Sequence, residues 1–171
     1  LSQLYCKMLD SVFMEICLEE AARAFEEEEV PVGAVIVSSK NEVISKTHNL
    51  TITNNSPTAH AEMIAIDKAS RVVGNYRLLG CTLYVSKEPC IMCAGGIMEA
   101  RLKRVVFGCF DQKRGAFGSL IDVNNISLNH KVEVRGGVLK EKSEDLLKRF
   151  FQLRRGTEVA ITGPTRNRLS R

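Results

Sequence analysis

Apolar residues recur at helical spacing in the first part of the chain, among acidic residues. The positions that follow this spacing are Val12, Ile16, Ala22 and Phe25. Such a stripe is typical of an amphipathic helix that buries one face. We therefore predict a first helix over residues 11–28, with Asp10 or Ser11 as its N-cap, because short polar side chains at that position accept hydrogen bonds from free N–H groups.

The rest of the chain alternates between short β-branched runs and longer helical patterns. Residues 34–37 and 43–45, joined by the polar turn 38–41, predict a hairpin. The pattern then predicts helices over 58–73, 90–100 and 140–155, and strands over 82–86, 104–108 and 131–134. Strands joined by helical crossovers pair in parallel, so we predict an α/β sandwich with an at least partly parallel sheet.

Composition narrows the class of protein. The chain has 171 residues, 44% of them hydrophobic and 26% charged, which fits one globular domain and excludes fibrous or disordered classes. No apolar run is long enough to cross a membrane, and the first residues lack the pattern of a signal peptide. We therefore expect a cytoplasmic protein without a membrane partner, whose 6 cysteines are not disulfide staples.

The positive charge is concentrated in the last quarter of the chain. The net charge is +4, but residues 131–171 hold 11 Lys and Arg against 5 Asp and Glu. The predicted last helix contains Lys148, Arg149, Phe150, Phe151, Arg154 and Arg155. Basic and aromatic side chains together suit a nucleic-acid backbone and its bases. The alternative is a solvated helix face with Phe150 or Phe151 in the core, and the two interpretations are compatible.

Two short motifs carry the candidate chemistry. His60-Ala61-Glu62 opens one predicted helix, and Pro89-Cys90-Ile91-Met92-Cys93 opens another. The i, i+3 spacing of the two cysteines places both sulfurs on one helix face, and a helix N-terminus favours thiolates. Zinc prefers mixed nitrogen and sulfur ligands, and three protein ligands leave a position open for catalysis. In such a site Glu62 is suited to general acid and base chemistry.

Each motif has a simpler interpretation. Cys-x-x-Cys also occurs in redox pairs and in structural zinc sites, and an isolated histidine is more often a cap or a packed side chain. A structural zinc site needs a fourth ligand, for which the remaining candidates are His48, Cys81, Cys109 and His130. We expect the cysteines outside the motif to be buried free thiols; these are Cys6, Cys17, Cys81 and Cys109.

The two motifs together, with several longer blocks, resemble a known family. The blocks are residues 30–35, 57–62, 75–78, 83–95 and 115–120. In combination they resemble the bacterial tRNA-specific adenosine deaminases of the zinc-dependent cytidine and deoxycytidylate deaminase superfamily, over about residues 11–155. The zinc motif alone is shared with deaminases of cytidine, deoxycytidylate, guanine and riboflavin-pathway compounds.

The resemblance implies a fold, a cofactor and an activity. The fold would be a cytidine-deaminase-like three-layer α/β/α sandwich with a five-stranded mixed sheet, over residues 1–156, followed by a basic flexible tail over 157–171. One Zn²⁺ per chain would be bound by His60, Cys90 and Cys93, and it would activate water for hydrolytic deamination of the wobble adenosine of a tRNA anticodon to inosine. Glu62 would shuttle the protons, and the enzyme would be a homodimer.

The resemblance also implies contacts with the tRNA anticodon stem-loop. Asn49 would hydrogen-bond the flipped base, although by itself it is more simply a turn residue. The side chains that would contact neighbouring nucleotides are Asp111, Lys113 and Arg114, to which the basic and aromatic cluster of the last predicted helix adds Phe151 and Arg154. Phe110 stands where the bacterial enzymes commonly have a basic residue, which exchanges a phosphate contact for base stacking.

Two other functions compete with this one. The first is the same chemistry on a free base or nucleoside, such as guanine or cytosine. The second is a noncatalytic RNA-binding module with structural zinc. Glu62 argues against the second, because a structural site has no need of a general base.

Overall fold

The computed structural model describes residues 3–161 and the side chains of residues 4–156. In chain order its elements are helix α1 (Gln3–Glu26), strands β1 (Gly33–Val37) and β2 (Val43–His48), helix α2 (Ala61–Val73), strand β3 (Thr82–Lys87), helix α3 (Ile91–Glu99), strand β4 (Arg104–Cys109), a 3₁₀ turn (Val123–Asn125), strand β5 (Glu133–Arg135) and helix α4 (Lys140–Ile161).

The strands form one five-stranded mixed sheet in the order β2-β1-β3-β4-β5. β1 pairs antiparallel with β2 and with β3, whereas β3 and β4 pair in parallel, as do β4 and β5. The parallel pairs are those whose connections cross over the sheet, because a parallel partner cannot be reached through a tight turn. The predicted fold class, an α/β sandwich with a five-stranded mixed sheet, is confirmed.

Helices cover both faces of the sheet and enclose a core on each side. Alternate residues of β1 point to opposite faces, as strand geometry requires. Ala34 and Ile36 belong to the core under α2 and α3, while Val35 and Val37 belong to the core under α1. Gly33, at the start of β1, permits close approach of α1: an added Cβ would lie 2.0 Å from the carbonyl oxygen of Cys17.

Helix α1 begins well before the predicted start, at Gln3, so the predicted N-caps are wrong. Ser11 lies inside the helix, where its hydroxyl donates to the carbonyl of Lys7. Asp10 is also inside the helix and is 1% exposed. Its carboxylate accepts from both Nη atoms of Arg104, at 2.6 and 2.7 Å, and also from Arg135 and the Tyr84 hydroxyl.

We expect Asp10→Asn to lower the free energy of unfolding by about 3 kcal/mol, because two part-buried guanidinium groups would lose their shared counter-charge. Chemical denaturation at neutral pH measures this change. Asp67→Asn is the matched control, since Asp67 pairs with Arg71 on the exposed side of α2, and it should change stability little. Equal effects of the two substitutions would contradict the role of Asp10.

The same carboxylate makes stability depend on acid. Burial by itself raises the pKa of Asp10, but hydrogen bonds from Arg104 and Tyr84 outweigh it and hold this pKa below its ordinary value of 3.8. The stabilisation from Asp10 is therefore complete above that ordinary value and is lost as the pH falls through the lower folded-state pKa. Asp10→Asn should flatten this acid limb of the stability profile.

Other predicted boundaries shift by a few residues. α2 begins at Ala61 rather than at 58, β5 comes slightly later than expected, and α4 continues to Ile161, into the segment predicted as a tail. The remainder of that segment, 162–171, lies outside the described residues. None of the described helices is long and apolar enough to cross a membrane.

The prediction for the other cysteines is correct for three of them. Cys17, Cys81 and Cys109 are buried free thiols, but Cys6 is exposed. The reason is the early start of α1, which places Cys6 in the part of the helix before the sheet contact, beside other exposed side chains such as Met8.

Candidate metal centre and active site

The N-termini of α2 and α3 meet at one point beside the sheet. His60 is the N-cap of α2 and Cys90 is the N-cap of α3, each with extended backbone and no side-chain capping hydrogen bond. Their side chains are therefore free to face the same point, where unpaired N–H groups and the helix dipoles favour negative charge. Cys93, one turn into α3, is 0% exposed and adds a second sulfur.

The three side chains have the spacing of ligands around one ion. The Sγ atoms of Cys90 and Cys93 are 3.7 Å apart, and His60 Nδ1 lies 3.7 Å from Cys90 Sγ and 3.4 Å from Cys93 Sγ. A tetrahedral zinc ion with ordinary bond lengths separates two sulfurs by about 3.8 Å and a sulfur from a nitrogen by about 3.5 Å. The donor atoms and their separations therefore fit Zn²⁺.

The surroundings of Cys90 and Cys93 shift the pKa values of their thiols in opposite directions. The hydrogen bonds from Cys93 and His60 lower the pKa of Cys90 to about 3. The same bond to Cys90, together with burial, raises the pKa of Cys93. Zinc binds cysteine sulfurs as thiolates, so an ion bound here would displace the thiol proton of Cys93.

A fourth protein ligand is absent among the described residues, where this trio is the only group of His, Cys, Asp and Glu side chains that gathers its ligand atoms in this way. His48 bonds to Glu20 and Glu27, and His130 bonds to the carbonyl of Leu102. Cys81 and Cys109 are buried outside the trio. The site therefore keeps an open coordination position, as catalytic zinc sites do.

Glu62 lies in the first turn of α2, 4% exposed, and lines the same cavity as His60 and Cys90. Burial raises the pKa of its carboxyl group. Residues two apart on a helix do not share a face, but the backbone of His60 is extended rather than helical, so this spacing does not keep its side chain away from the cavity. His60 and Glu62 can therefore both face it, as the sequence suggested.

The cavity has a volume of about 160 Å³, and Asn49 forms part of its wall. The Asn49 side chain accepts a hydrogen bond from the backbone N–H of Ala61, at 2.8 Å. Because that partner can only donate, the accepting atom is Oδ1, and Nδ2 is the remaining donor for a bound base. Asn49 is thus both a structural link to α2 and a wall of the cavity.

The loop after β4 contributes a second part of the wall, but its predicted contact residues differ in role. Asp111 and Arg114 line the cavity, whereas Lys113 is exposed outside it. The Asp111 carboxylate accepts from the N–H groups of Lys113 and Arg114 and pairs with Lys87 Nζ at 2.6 Å. Asp111 therefore shapes the loop, and Arg114 is its cationic group at the cavity.

Phe110 begins this loop and is partly used in packing. Its ring contacts Phe107 edge to face, with centroids 5.1 Å apart, and it remains 45% exposed. It is not among the residues of the cavity wall. Stacking of a base on the exposed part of the Phe110 ring, outside the cavity, stays a prediction.

Phe151 and Arg154 lie outside the catalytic cavity, beside a neighbouring one of about 300 Å³. Val30 lines both cavities, so they are adjacent. Phe150 is buried against Phe25, whereas Phe151 is 44% exposed. Arg154 stacks over the Phe150 ring and donates to the carbonyl of Glu28. Phe150 is therefore the phenylalanine that belongs to the core, and nucleic-acid contact by Phe151 and Arg154 stays a prediction.

Three residues near the cavity carry no signal in the sequence by themselves. Lys87 lines the cavity and pairs with Asp111. Glu29 is fully buried and accepts from the N–H groups of Ile52 and Thr53, at 2.8 and 2.7 Å. Glu88 is 3% exposed and bonds to the loop after β4. Lys87 and Glu88 had one signal, their position directly before Pro89-Cys90, and Glu29 had none.

Comparison with known protein families agrees with this donor set. The model of the cytidine and deoxycytidylate deaminase zinc-binding region matches residues 7–109, more than half of the chain. The chain belongs to this deaminase family. The matched region of the family binds zinc, and the trio of His60, Cys90 and Cys93 supplies suitable ligand atoms for it here. The cofactor is therefore Zn²⁺.

Relatives of this deaminase are similar over most of their length. It is 46% identical over 147 residues to the tRNA-specific adenosine deaminase of Haemophilus influenzae, covering 85% of each chain. It is 44% identical over 153 residues to the tRNA-specific adenosine deaminase of Bacillus subtilis, covering 88% of this chain and 94% of the relative.

Solved structures support the fold of the deaminase. One, from work on A-to-I editing by tRNA:A34 deaminases at the wobble position of transfer RNA, is 40% identical with a TM-score of 0.73, covering 79% of this chain and 98% of that one. A guanine deaminase of Nitrosomonas europaea is 22% identical with a TM-score of 0.67, covering 80% and 81%. At that identity the second structure supports the fold alone.

Proposed function

We propose that this deaminase converts adenosine to inosine at the wobble position of a tRNA anticodon. The observation that carries the proposal is the cavity at the two helix N-termini, where Glu62 faces the trio of His60, Cys90 and Cys93, in a chain so similar to tRNA-specific adenosine deaminases. Water adds its oxygen to C6 of the base, the C6–N6 bond breaks, and the amine leaves as ammonia.

The residues have separate roles in this reaction. His60, Cys90 and Cys93 hold Zn²⁺, which as a Lewis acid supplies a reactive water at neutral pH. Glu62 accepts a proton from the attacking water and delivers protons to the ring nitrogen and to the leaving amine. Asn49 donates from Nδ2 to the base and keeps it oriented. Burial of Glu62 suits this work, because a raised pKa lets the carboxyl group hold a proton and release it within one turnover.

Single-stranded RNA suits the shape and charge around the cavity. A base must leave its stack to enter, and a loop allows this more easily than a duplex. Lys87 and Arg114 lie at the cavity, and Phe151, Arg154 and Arg155 line the adjacent one. Aromatic and guanidinium groups stack on bases, and cations bind phosphates. We propose that this surface, together with Lys113, binds the nucleotides next to the target base. Its affinity for RNA should then fall as salt is added, and an affinity that does not change with salt would contradict this assignment.

Incubating the protein with total tRNA and sequencing the anticodon loops tests reaction and substrate together, because inosine is read as guanosine. We expect conversion at the wobble position of the anticodon. Parallel reactions with free adenosine, cytidine and guanine provide the control. Turnover of a free base or nucleoside without any conversion in tRNA would overturn the proposed substrate and favour small-molecule deamination.

We also propose that the enzyme is a homodimer in the cytoplasm. The outer face of α3 is exposed and apolar at Ile91, and an added Cβ at Gly95 would meet open space. Leu128, 43% exposed, shares a surface cavity with Gly95. The family resemblance implies the dimer itself, and we assign the contact between the two copies to this face. Sedimentation at micromolar concentration tests the dimer, and the mass of a single chain would contradict it.

Cell fractionation tests the proposed location in the cytoplasm.

A further inference from the structure

We propose that Glu88 is a positioning residue, whose buried carboxylate holds residues 111–119 in the shape that places Arg114 at the catalytic cavity. We call residues 111–119 the cavity loop. Glu88 follows the last residue of β3 and precedes Pro89 and Cys90, so it joins the sheet to the metal-binding turn. Its side chain is turned toward the cavity loop rather than toward solvent.

The Glu88 carboxylate receives hydrogen bonds from three points of the cavity loop. Oε2 accepts from the N–H of Asp111 at 3.0 Å and from the hydroxyl of Ser119. Oε1 accepts from the N–H of Phe117 at 3.0 Å and from the N–H of Ser119 at 3.1 Å. Both oxygens are thus engaged with the two ends of the loop, at Asp111 and at Phe117 and Ser119, so the segment that contains Arg114 is held from both sides.

The loop is also shaped to admit this carboxylate. An added Cβ at Gly115 would lie 2.3 Å from Glu88 Cδ, and its three nearest atoms all belong to the Glu88 carboxyl group. Within the described residues no cationic side chain forms an ion pair with Glu88. Its charge is balanced instead by backbone and hydroxyl donors, which form charge-assisted hydrogen bonds.

The cavity loop is connected to the metal site as well. Cys90 and Gly115 form a backbone bridge, and the N–H of Ala116 donates to the carbonyl of Pro89 at 2.9 Å. Glu88 therefore fixes Arg114 relative to Cys90, and both of these residues line the catalytic cavity. A shift of this loop should weaken the binding of nucleotides next to the target more than it affects the chemical step.

The test of this positioning role is Glu88→Gln. An amide keeps one oxygen as an acceptor but places N–H groups opposite one set of donors, so only part of the loop stays bonded. We expect hydrogen exchange of peptides from 111–119 to become about tenfold faster, since a locally loosened segment opens more often, with one zinc per chain retained. Unchanged exchange in this loop would overturn the proposal, whatever the substrate proves to be.

The kinetic arm rests on the proposed function and uses an anticodon stem-loop as the substrate. We expect KM to rise about tenfold while kcat stays within about threefold, the pattern of lost binding rather than lost chemistry. A merely structural role would reduce the active fraction, lowering kcat with KM unchanged, and this result would overturn the proposal. A wild-type enzyme that leaves the stem-loop unconverted would refute the proposed function alone, because the exchange measurement still decides the role of Glu88.

Glu42→Gln is the matched control, because Glu42 is an exposed residue of the β1–β2 turn, at the end of the hairpin away from the cavity. It should change neither exchange nor KM. If Glu88→Gln does not fold, Ser119→Ala removes one of the same hydrogen bonds with less disturbance. It should raise KM about threefold and accelerate exchange in the cavity loop; no change in either quantity would overturn the proposal.

Discussion

Glu62→Gln is expected to abolish deamination while one zinc per chain remains bound. Glutamine has almost the same shape as glutamate but cannot accept and return a proton, and loss of general acid and base catalysis costs about 10²- to 10⁴-fold. Glu62 is not one of the three side chains whose nitrogen and sulfur atoms gather around one point, although its carboxyl group accepts a hydrogen bond from Cys93, so metal binding should survive. Single-turnover deamination of an anticodon stem-loop, with zinc analysis of the same sample, measures both effects.

The control for this variant is Asp67→Asn, an exposed carboxyl group on the same helix. It should keep full activity. Two results would contradict the role of Glu62. Retained activity in Glu62→Gln would exclude it as the proton carrier, and loss of zinc would make it a metal ligand instead.

Cys93→Ala is expected to remove both the zinc and the activity. The sulfur of Cys93 is fully buried and lies 3.4 Å from His60 Nδ1 and 3.7 Å from Cys90 Sγ. Without it only two protein ligands remain, and zinc sites in proteins use three or four. The melting temperature should fall as well, because the metal ion joins the N-termini of α2 and α3 and binds the folded state alone.

Metal analysis after dialysis, differential scanning calorimetry and the deamination assay measure these three changes. Cys81→Ala is the matched control, since Cys81 is also buried but lies outside the metal trio. It should retain zinc and activity. A Cys93→Ala protein that keeps one tightly bound zinc would show that Cys93 is not a required ligand and that another group completes the site.

The sequence predicted the elements better than their ends. Periodicity identified each helix and each strand, because apolar spacing is set by the local geometry of the backbone. It misplaced the start of α1, because the short polar side chains of Asp10 and Ser11 resemble an N-cap even though Leu4 and Met8 continue the apolar spacing before them. It also misplaced the buried face of this helix: Val12 of the predicted stripe is 51% exposed, and the positions that pack on the sheet include Met14 and Cys17. It also began α2 at 58, whereas the extended backbone of His60 makes that residue the N-cap.

The metal donors were predictable for a related reason. His60-Ala61-Glu62 and Pro89-Cys90-Ile91-Met92-Cys93 are local motifs, so their residue types and spacing are visible in the chain. The roles of Asn49 and Asp111 were less visible. Asn49 Oδ1 bonds to the N–H of Ala61, which only the folded chain brings near, so Asn49 offers a donor alone. Asp111 bonds to nearby N–H groups of its own loop, but its ion pair with Lys87 depends on the tertiary structure.

By itself, therefore, the sequence determined the class of fold, the donor types for zinc and the candidate proton carrier, because each is carried by a local pattern or a short motif. The tertiary structure decided which distant groups meet. It joined His60 to Cys90 and Cys93, Asp10 to Arg104 and Arg135, and Glu88 to the cavity loop. A buried carboxylate needs partners, but its sequence neighbours do not identify them; the packing of helices on the sheet does.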